Sequence, residues 1–207
     1  MTYPDSFQKL AARINQNRPV YRHKVFGIGY PKTGTTTLGY CFRRLGYKHS
    51  TYNMDLAVKV CKGDEVAAIH AAKHYESFED WPWFLVYKPI SKVYTSAKFV
   101  LTVRQDPDAY VNSLYRHRKA QGVFEPDFKE PAWWRDLFGY EPGFWDSDLF
   151  RNKYISHNES VIEHFRNKPE SLLVVSWEKG DGWHELCQFL DRPLPKETFP
   201  HRNKSTT

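Results

Sequence analysis

Residues 25–38 read Val-Phe-Gly-Ile-Gly-Tyr-Pro-Lys-Thr-Gly-Thr-Thr-Thr-Leu, and few folds accommodate that order. An apolar run, Val25–Gly29, predicts a short buried strand. A Gly/Pro turn follows, and then three consecutive threonines. Beyond them Leu38, Cys41, Phe42 and Leu45 recur at i, i+3, i+4 and i+7, and Gly46 supplies a stop. Thr35–Leu45 is therefore expected to be a helix packed on a sheet. Strand, glycine turn and helix in this order present backbone N–H groups and the positive end of a helix to an anion, above all a phosphate. Lys32 adds a full charge within the turn, and Thr35, Thr36 and Thr37 add hydroxyls. The stretch is not an intact Walker A loop. Gly29 and Gly34 have its glycine spacing, but Thr35 stands where that loop carries its lysine.

The remaining chain alternates strands and helices. Tyr47–Tyr52 and His74–Phe78 read as short strands, with helices over Leu56–Lys62 and Asp64–Lys73. Glu79-Asp80-Trp81-Pro82-Trp83 reads as a strand end giving way to a helix with Pro82 near its start. Pro89 then interrupts that helix or begins another. Lys98–Arg104 is nearly all apolar, as expected of a parallel strand covered on both faces. Asp106-Pro107 is a cap followed by proline at the first helical position, so Asp106–Lys119 is a helix with Tyr110, Val111, Leu114 and Tyr115 facing inward. Asn152–Phe165, a strand over Leu172–Trp177 and a helix over Trp183–Leu190 complete the pattern. A further short helix is expected near Ser6–Ile14. The class is α/β, a three-layer α/β/α arrangement around a central parallel sheet of the P-loop NTPase type. Such sheets take their ligands beyond the carboxyl ends of the strands.

A length of 207 residues suits one domain spanning 1–207. Residues 120–150 form an insertion in which Gly and Pro alternate with Phe124, Phe128, Trp133, Trp134, Phe138, Phe144 and Trp145. It is too aromatic for a disordered linker, and ordered insertions of that length commonly bind or cover ligands. The formal charge of +6 is spread without a long Lys/Arg run, which favours a small polyanion over nucleic acid. No apolar run reaches the length of a membrane span, and the N-terminus lacks an apolar signal region. Cys41, Cys61 and Cys187 lack any metal-ligand spacing and read as reduced thiols, so a cytoplasmic protein is expected.

With these residues in view, Tyr30-Pro31-Lys32-Thr33-Gly34-Thr35-Thr36 resembles the 5′-phosphosulfate loop of sulfotransferases. Those enzymes use 3′-phosphoadenosine 5′-phosphosulfate (PAPS) as co-substrate. Their second hallmark, a strand ending in Arg before a helix carrying Ser, is matched by Phe99–Arg104 and Ser113. The spacing is nine residues here against the family's usual eight, with Gln105 as the apparent insertion. The resemblance runs from about Lys24 to the end. Asp80-Trp81-Pro82 and Phe199–Asn203 also look like stretches of small sulfotransferase-domain proteins.

The resemblance implies roles. Lys32 would contact the 5′-phosphate and sulfate oxygens, and Pro31, Thr33, Gly34, Thr35, Thr36 and Thr37 would form the loop around them. Arg104 and Ser113 would hold the 3′-phosphate. Asp80 occupies the place of the family's general base, with Glu79 in reserve. No metal is called for, and the acceptor would be a small molecule or a glycan bearing a hydroxyl or amine. Two other readings stay open. One is a P-loop nucleotide kinase or NTPase, which would want a lysine beside the hydroxyls and an acidic strand end for Mg²⁺. The other is a catalytically inactive nucleotide-binding or interaction module on the same fold.

Overall fold

A computed structural model describes residues 23–200. The predicted helix near Ser6–Ile14 and the tail from His201 lie outside the described residues. Five strands form one sheet: β1 (Val25–Gly27), β2 (His49–Ser50), β3 (Ser77–Phe78), β4 (Lys98–Thr102) and β5 (Leu172–Val175). Their order is β2-β3-β1-β4-β5, and every pair is parallel. Side chains alternate across the sheet with period two. Phe26 of β1 therefore stacks on Phe78 of β3 at 4.5 Å and on Phe99 of β4 at 5.5 Å on one face. Val25, Val100 and Val175 line the other. The strand expected over Lys98–Arg104 ends at Thr102; the Val103 N–H still donates to the Val175 carbonyl at 2.8 Å, and the Arg104 N–H goes instead to the Tyr154 hydroxyl at 2.9 Å.

Helices α1 (Thr35–Arg44) and α8 (Trp183–Leu190) cover the valine face through Leu38, Cys41, Phe42, Leu186 and Cys187. The phenylalanine face is covered by α2 (Met54–Cys61), α3 (Glu65–Ala71), α4 (Tyr87–Val93) and α7 (Ser147–His164). This gives the three layers expected. Helix α5 (Pro107–Ala120) begins as read: the Asp106 carboxylate accepts the Ala109 N–H at 2.7 Å, with proline in the first turn. Cys41 and Cys187 are buried and unbridged, and Cys61 is exposed. No helix among the described residues is long and apolar enough to cross a membrane.

Some expectations fail in instructive ways. No helix starts at Pro82. The Trp81–Pro82 peptide is cis, Asp80 has φ 69°, and a string of turns carries the chain to Tyr87. Pro89 therefore lies in the first turn of α4, where its missing N–H costs nothing. Tyr115, read as inward, is 41% exposed. Tyr115 instead stacks on Phe124 and meets Trp145 edge-on.

The insertion at 120–150 holds one short helix, α6 (Trp134–Phe138). Its centre is a cation. The Arg118 guanidinium is buried among the rings of Phe124, Trp134, Tyr140, Trp145 and Phe150, each centroid 5.3–5.9 Å away. The insertion reaches back over the ends of the strands, where Phe138 meets Trp81 edge-on at 5.6 Å.

Candidate functional site

Beyond β1 the chain passes through Gly29 into a tight turn and enters α1 at Thr35. Two residues in the turn are left-handed, Lys32 at φ 75° and Gly34 at φ 97°. Such a conformation costs a residue with a Cβ of the order of 1–2 kcal/mol, so at Lys32 it marks a backbone shaped for purpose. Gly34 has a second reason to be glycine: a Cβ there would fall 2.4 Å from Trp177 Cδ1. The Trp177 indole N–H donates to the Gly34 carbonyl at 3.2 Å. Gly29 is pressed against the end of β4, where a Cβ would meet Thr102 Oγ1 at 2.1 Å.

The threonines divide. Thr33 turns inward, its hydroxyl donating to the Tyr30 carbonyl at 2.6 Å and sharing a hydrogen bond with Thr102 Oγ1 at 2.7 Å. Its N–H closes the turn onto the Tyr30 carbonyl at 3.3 Å. Thr33 thus braces the loop and has neither group left for an anion. Thr35, Thr36 and Thr37 form the first turn of α1. That turn carries no acidic residue, and its N-cap, Gly34, has no side chain to cap it, so the positive end of the helix faces the loop.

Asp80 follows β3 and stands beside the helix start. Thr35 Oγ1 donates to Asp80 Oδ2 at 3.3 Å, and the Trp81 N–H donates to Oδ1 at 2.9 Å. Burial first, then the charge of Glu79, pushes the Asp80 carboxyl up to about 6, while the Trp81 N–H, the Thr35 hydroxyl and Lys32 pull the other way. The Lys32 ammonium is lowered by burial and by Arg104, and raised by Asp80. Lys32 is therefore near enough to both Asp80 and Arg104 to feel the charge of each. His117 of α5 belongs to the same neighbourhood, lowered by burial and by Lys32.

Arg104 leaves β4 in an ion pair: Nη1 donates to Glu178 Oε1 at 2.5 Å, and the Gln105 N–H donates to Oε2 at 3.0 Å. The extra residue Gln105 is thus absorbed by a turn closed on Glu178. Arg104 Nε is buried without a hydrogen-bond partner. Ser113 is buried in α5, and no hydrogen bond joins it to Arg104. Glu79 is buried beneath α1 and does not share Asp80's contacts.

Tyr30 forms the wall on the other side of the loop. Its ring packs on Phe84 at 4.9 Å and edge-on against His157 at 4.5 Å. His157 Nε2 lies 2.8 Å from the Ile28 carbonyl, and burial holds the imidazole down to about 4, so it is neutral near pH 7 and donates there. Between α4 and α7 a cleft of about 550 Å³ opens beside Tyr30, lined by Tyr87, Lys153, His157 and Ser160 among others.

Trp177, Glu178, Tyr30, His157 and Thr102 escape assignment from sequence. Tyr30 belongs to the loop motif itself, and its bulk was the available signal. Trp177 and Glu178 have none, since they meet Gly34 and Arg104 across 143 and 74 residues.

The geometry can be set beside known proteins. A family model described as a sulfotransferase domain matches residues 24–207. The chain is also 24% identical over 213 residues to "Ava biosynthesis cluster protein M" of Aspergillus versicolor, covering 86% of this chain and 80% of that protein.

Proposed function

The chain belongs to the sulfotransferase-domain family, and from that premise we propose that it transfers a sulfuryl group from PAPS to the hydroxyl or amine of a small-molecule or glycan acceptor. The observation that carries the reading is Lys32. It sits left-handed inside the turn, two residues before Gly34 and ahead of a helix whose first turn carries no acidic residue, close enough to Asp80 and Arg104 to feel the charge of each. A ligand with anionic groups at two places fits that set of donors better than a triphosphate that needs a Walker lysine.

PAPS, when bound, supplies the activated sulfuryl group. The first turn of α1 would hold the 5′-phosphate through its N–H groups and the Thr36 hydroxyl, joined by the Thr35 hydroxyl once it exchanges its 3.3 Å contact with Asp80 for the phosphate. Lys32 would neutralise the charge that grows on the leaving oxygens. Arg104, with a buried Nε to spare, would take the 3′-phosphate with Ser113. Asp80 would accept the acceptor's proton. A carboxyl near 6 is ionised at neutral pH yet more basic than an ordinary aspartate, as a general base should be. The acceptor's remaining bulk would lie beside Tyr30, with the insertion's Phe138 against Trp81 closing the top. Free, buried thiols at Cys41 and Cys187 suit a reducing, cytoplasmic setting.

One contact favours a second reading. A threonine at a helix start paired with a strand-end carboxylate, as Thr35 with Asp80, also suits a magnesium nucleoside triphosphate. Calorimetric titration separates the two. The sulfotransferase reading expects metal-independent binding of adenosine 3′,5′-bisphosphate, weakened ~10-fold or more by Lys32→Ala and by Arg104→Ala, consistent with the worth of charge-assisted hydrogen bonds. Binding of ATP only with Mg²⁺, and none of the bisphosphate, refutes it. Bisphosphate binding with no transfer to any acceptor class supports the inactive module.

A further inference from the structure

Arg104 is held along one edge and left open along another. Its N–H donates to the Tyr154 hydroxyl of α7 at 2.9 Å, and Tyr154 stacks on Tyr110 of α5 at 4.2 Å. At the tip of the side chain, Nη1 donates to Glu178 Oε1 at 2.5 Å, while Glu178 Oε2 accepts the Gln105 N–H at 3.0 Å. Glu178 thus spans two consecutive residues and spends one oxygen on each. Its own segment is closed. Trp177–Lys179 is a single 3₁₀ turn. The Lys179 N–H donates to the Ser176 carbonyl at 3.0 Å, and the Asp181 carboxylate accepts the Ser176 N–H at 2.7 Å. The Trp177 indole ties that turn to the Gly34 carbonyl. A guanidinium offers two forked edges, one joining Nη1 to Nη2 and the other joining Nε to Nη2. Glu178 takes the first through Nη1. On the second, Nε is buried without a hydrogen-bond partner. Leaving a donor of a charged group buried and unpaired is costly, so the orphan on that edge marks where an anion gains most.

We propose that Glu178 is a positioning residue: it grips Arg104 by Nη1, keeps the Nε–Nη2 edge free for the second phosphate of the nucleotide, and so sets how sharply the protein tells a 3′-phosphorylated nucleotide from one lacking that group. This role rests on the two-phosphate ligand of the proposed function. A carboxylate beside Arg104 could instead act as an internal anion that competes with the phosphate. The contacts speak against that. Glu178 meets Nη1, which a phosphate bound along Nε and Nη2 does not need. Its other oxygen is committed to the Gln105 N–H, and its backbone is fixed by the turn closed on Asp181. The negative charge of Glu178 opposes an incoming phosphate to some degree. Against this, the long arginine stem loses its rotamer freedom on folding rather than on binding, and a donor ordered in advance binds more tightly.

Calorimetry with two probes reads this role without any acceptor. Adenosine 5′-monophosphate carries the first phosphate only, and adenosine 3′,5′-bisphosphate carries both. The ratio of their dissociation constants measures what the second phosphate gains. Glu178→Ala is expected to shrink that ratio about tenfold, the scale of one charge-assisted hydrogen bond, while the monophosphate constant stays within about threefold. Glu178→Gln, which keeps an oxygen for Arg104 or Gln105, is expected to shrink it by less, and serves if the alanine variant does not fold. In an Arg104→Ala background, Glu178→Ala should shrink the ratio no further. A ratio that grows makes Glu178 a competitor for the phosphate. Equal weakening of both nucleotides makes it only a brace of the loop. Either result overturns the inference, and so does a large parent ratio that Glu178→Ala leaves untouched, with the two-phosphate ligand still standing. A parent that binds both nucleotides equally well, or neither, removes that ligand itself and the role of Glu178 with it.

Discussion

Replacing Asp80 by Asn should make the protein more stable while disabling its proposed chemistry. The folded state holds the Asp80 carboxyl at about 6 against an ordinary 3.8. Between those values the unfolded chain is ionised while the folded one keeps its proton, so the folded state binds more protons and stability falls as pH rises through the window. The penalty is absent below 3.8 and complete above 6. At roughly 1.36 kcal/mol per unit it amounts to about 3 kcal/mol at pH 8, and to about half of that at pH 5. Asparagine carries none of it. Its amide can still accept the Trp81 N–H, and it can donate to the Thr35 hydroxyl in place of accepting from it. Asparagine also enters the left-handed region as readily as aspartate, so the backbone cost at φ 69° cancels in the comparison. Urea unfolding of parent and variant at pH 8 and pH 5 measures both differences. A variant no more stable than the parent at pH 8, or a gain equal at the two pH values, would refute the account of Asp80 as a carboxylate held ionised against its surroundings.

Three further outcomes are expected. Gly34→Ala places a Cβ against Trp177 at a left-handed position and should cost about 2–4 kcal/mol in denaturant unfolding, with bisphosphate affinity falling too. His157 works in the opposite sense to Asp80: its folded value near 4 means stability is full above 6.5 and is lost, by about 3 kcal/mol, as pH falls towards 4. His157→Gln, which can still donate to the Ile28 carbonyl, should flatten that acid limb, and an unchanged limb would clear His157 of the effect. Arg118→Leu removes the cation from five rings, so amide exchange over 124–150 should quicken about tenfold while β1 and β4 keep their protection.

What the sequence made legible was local. The phosphate-type loop, the Asp106-Pro107 cap and the helix over Trp183–Leu190 are each written in a few adjacent residues, and the structure places them where periodicity and capping put them. The parallel sheet followed from alternation of elements. Pro82 misled because proline opens helices and turns alike, and the left-handed Asp80 that decides between them has no signature of its own. Tyr115 was read inward from helical spacing, yet its partners are Phe124 and Trp145 of an insertion whose path no period describes. In the site, Lys32 and Asp80 could be named from motif-like neighbours. The groups that fix their surroundings could not: Glu178 on Arg104, Trp177 on Gly34, and His49 and Thr51 on Glu79 are contacts between distant segments.

The indole of Trp177 has a consequence for how the molecule comes into being. It donates to a carbonyl 143 residues earlier and fills the space that Gly34 leaves. Glu178, next in the chain, closes on Arg104 and Gln105. A chain emerging from the ribosome therefore writes the turn at Gly34 well over a hundred residues before it acquires the props for it. A fragment stopping before residue 177 would carry every residue of the loop motif and lack what holds it in shape. Contacts of such separation are slow to form and cooperative once made, so the native shape of the loop, and with it the nucleotide binding proposed above, should arrive together with the last strand rather than grow with chain length.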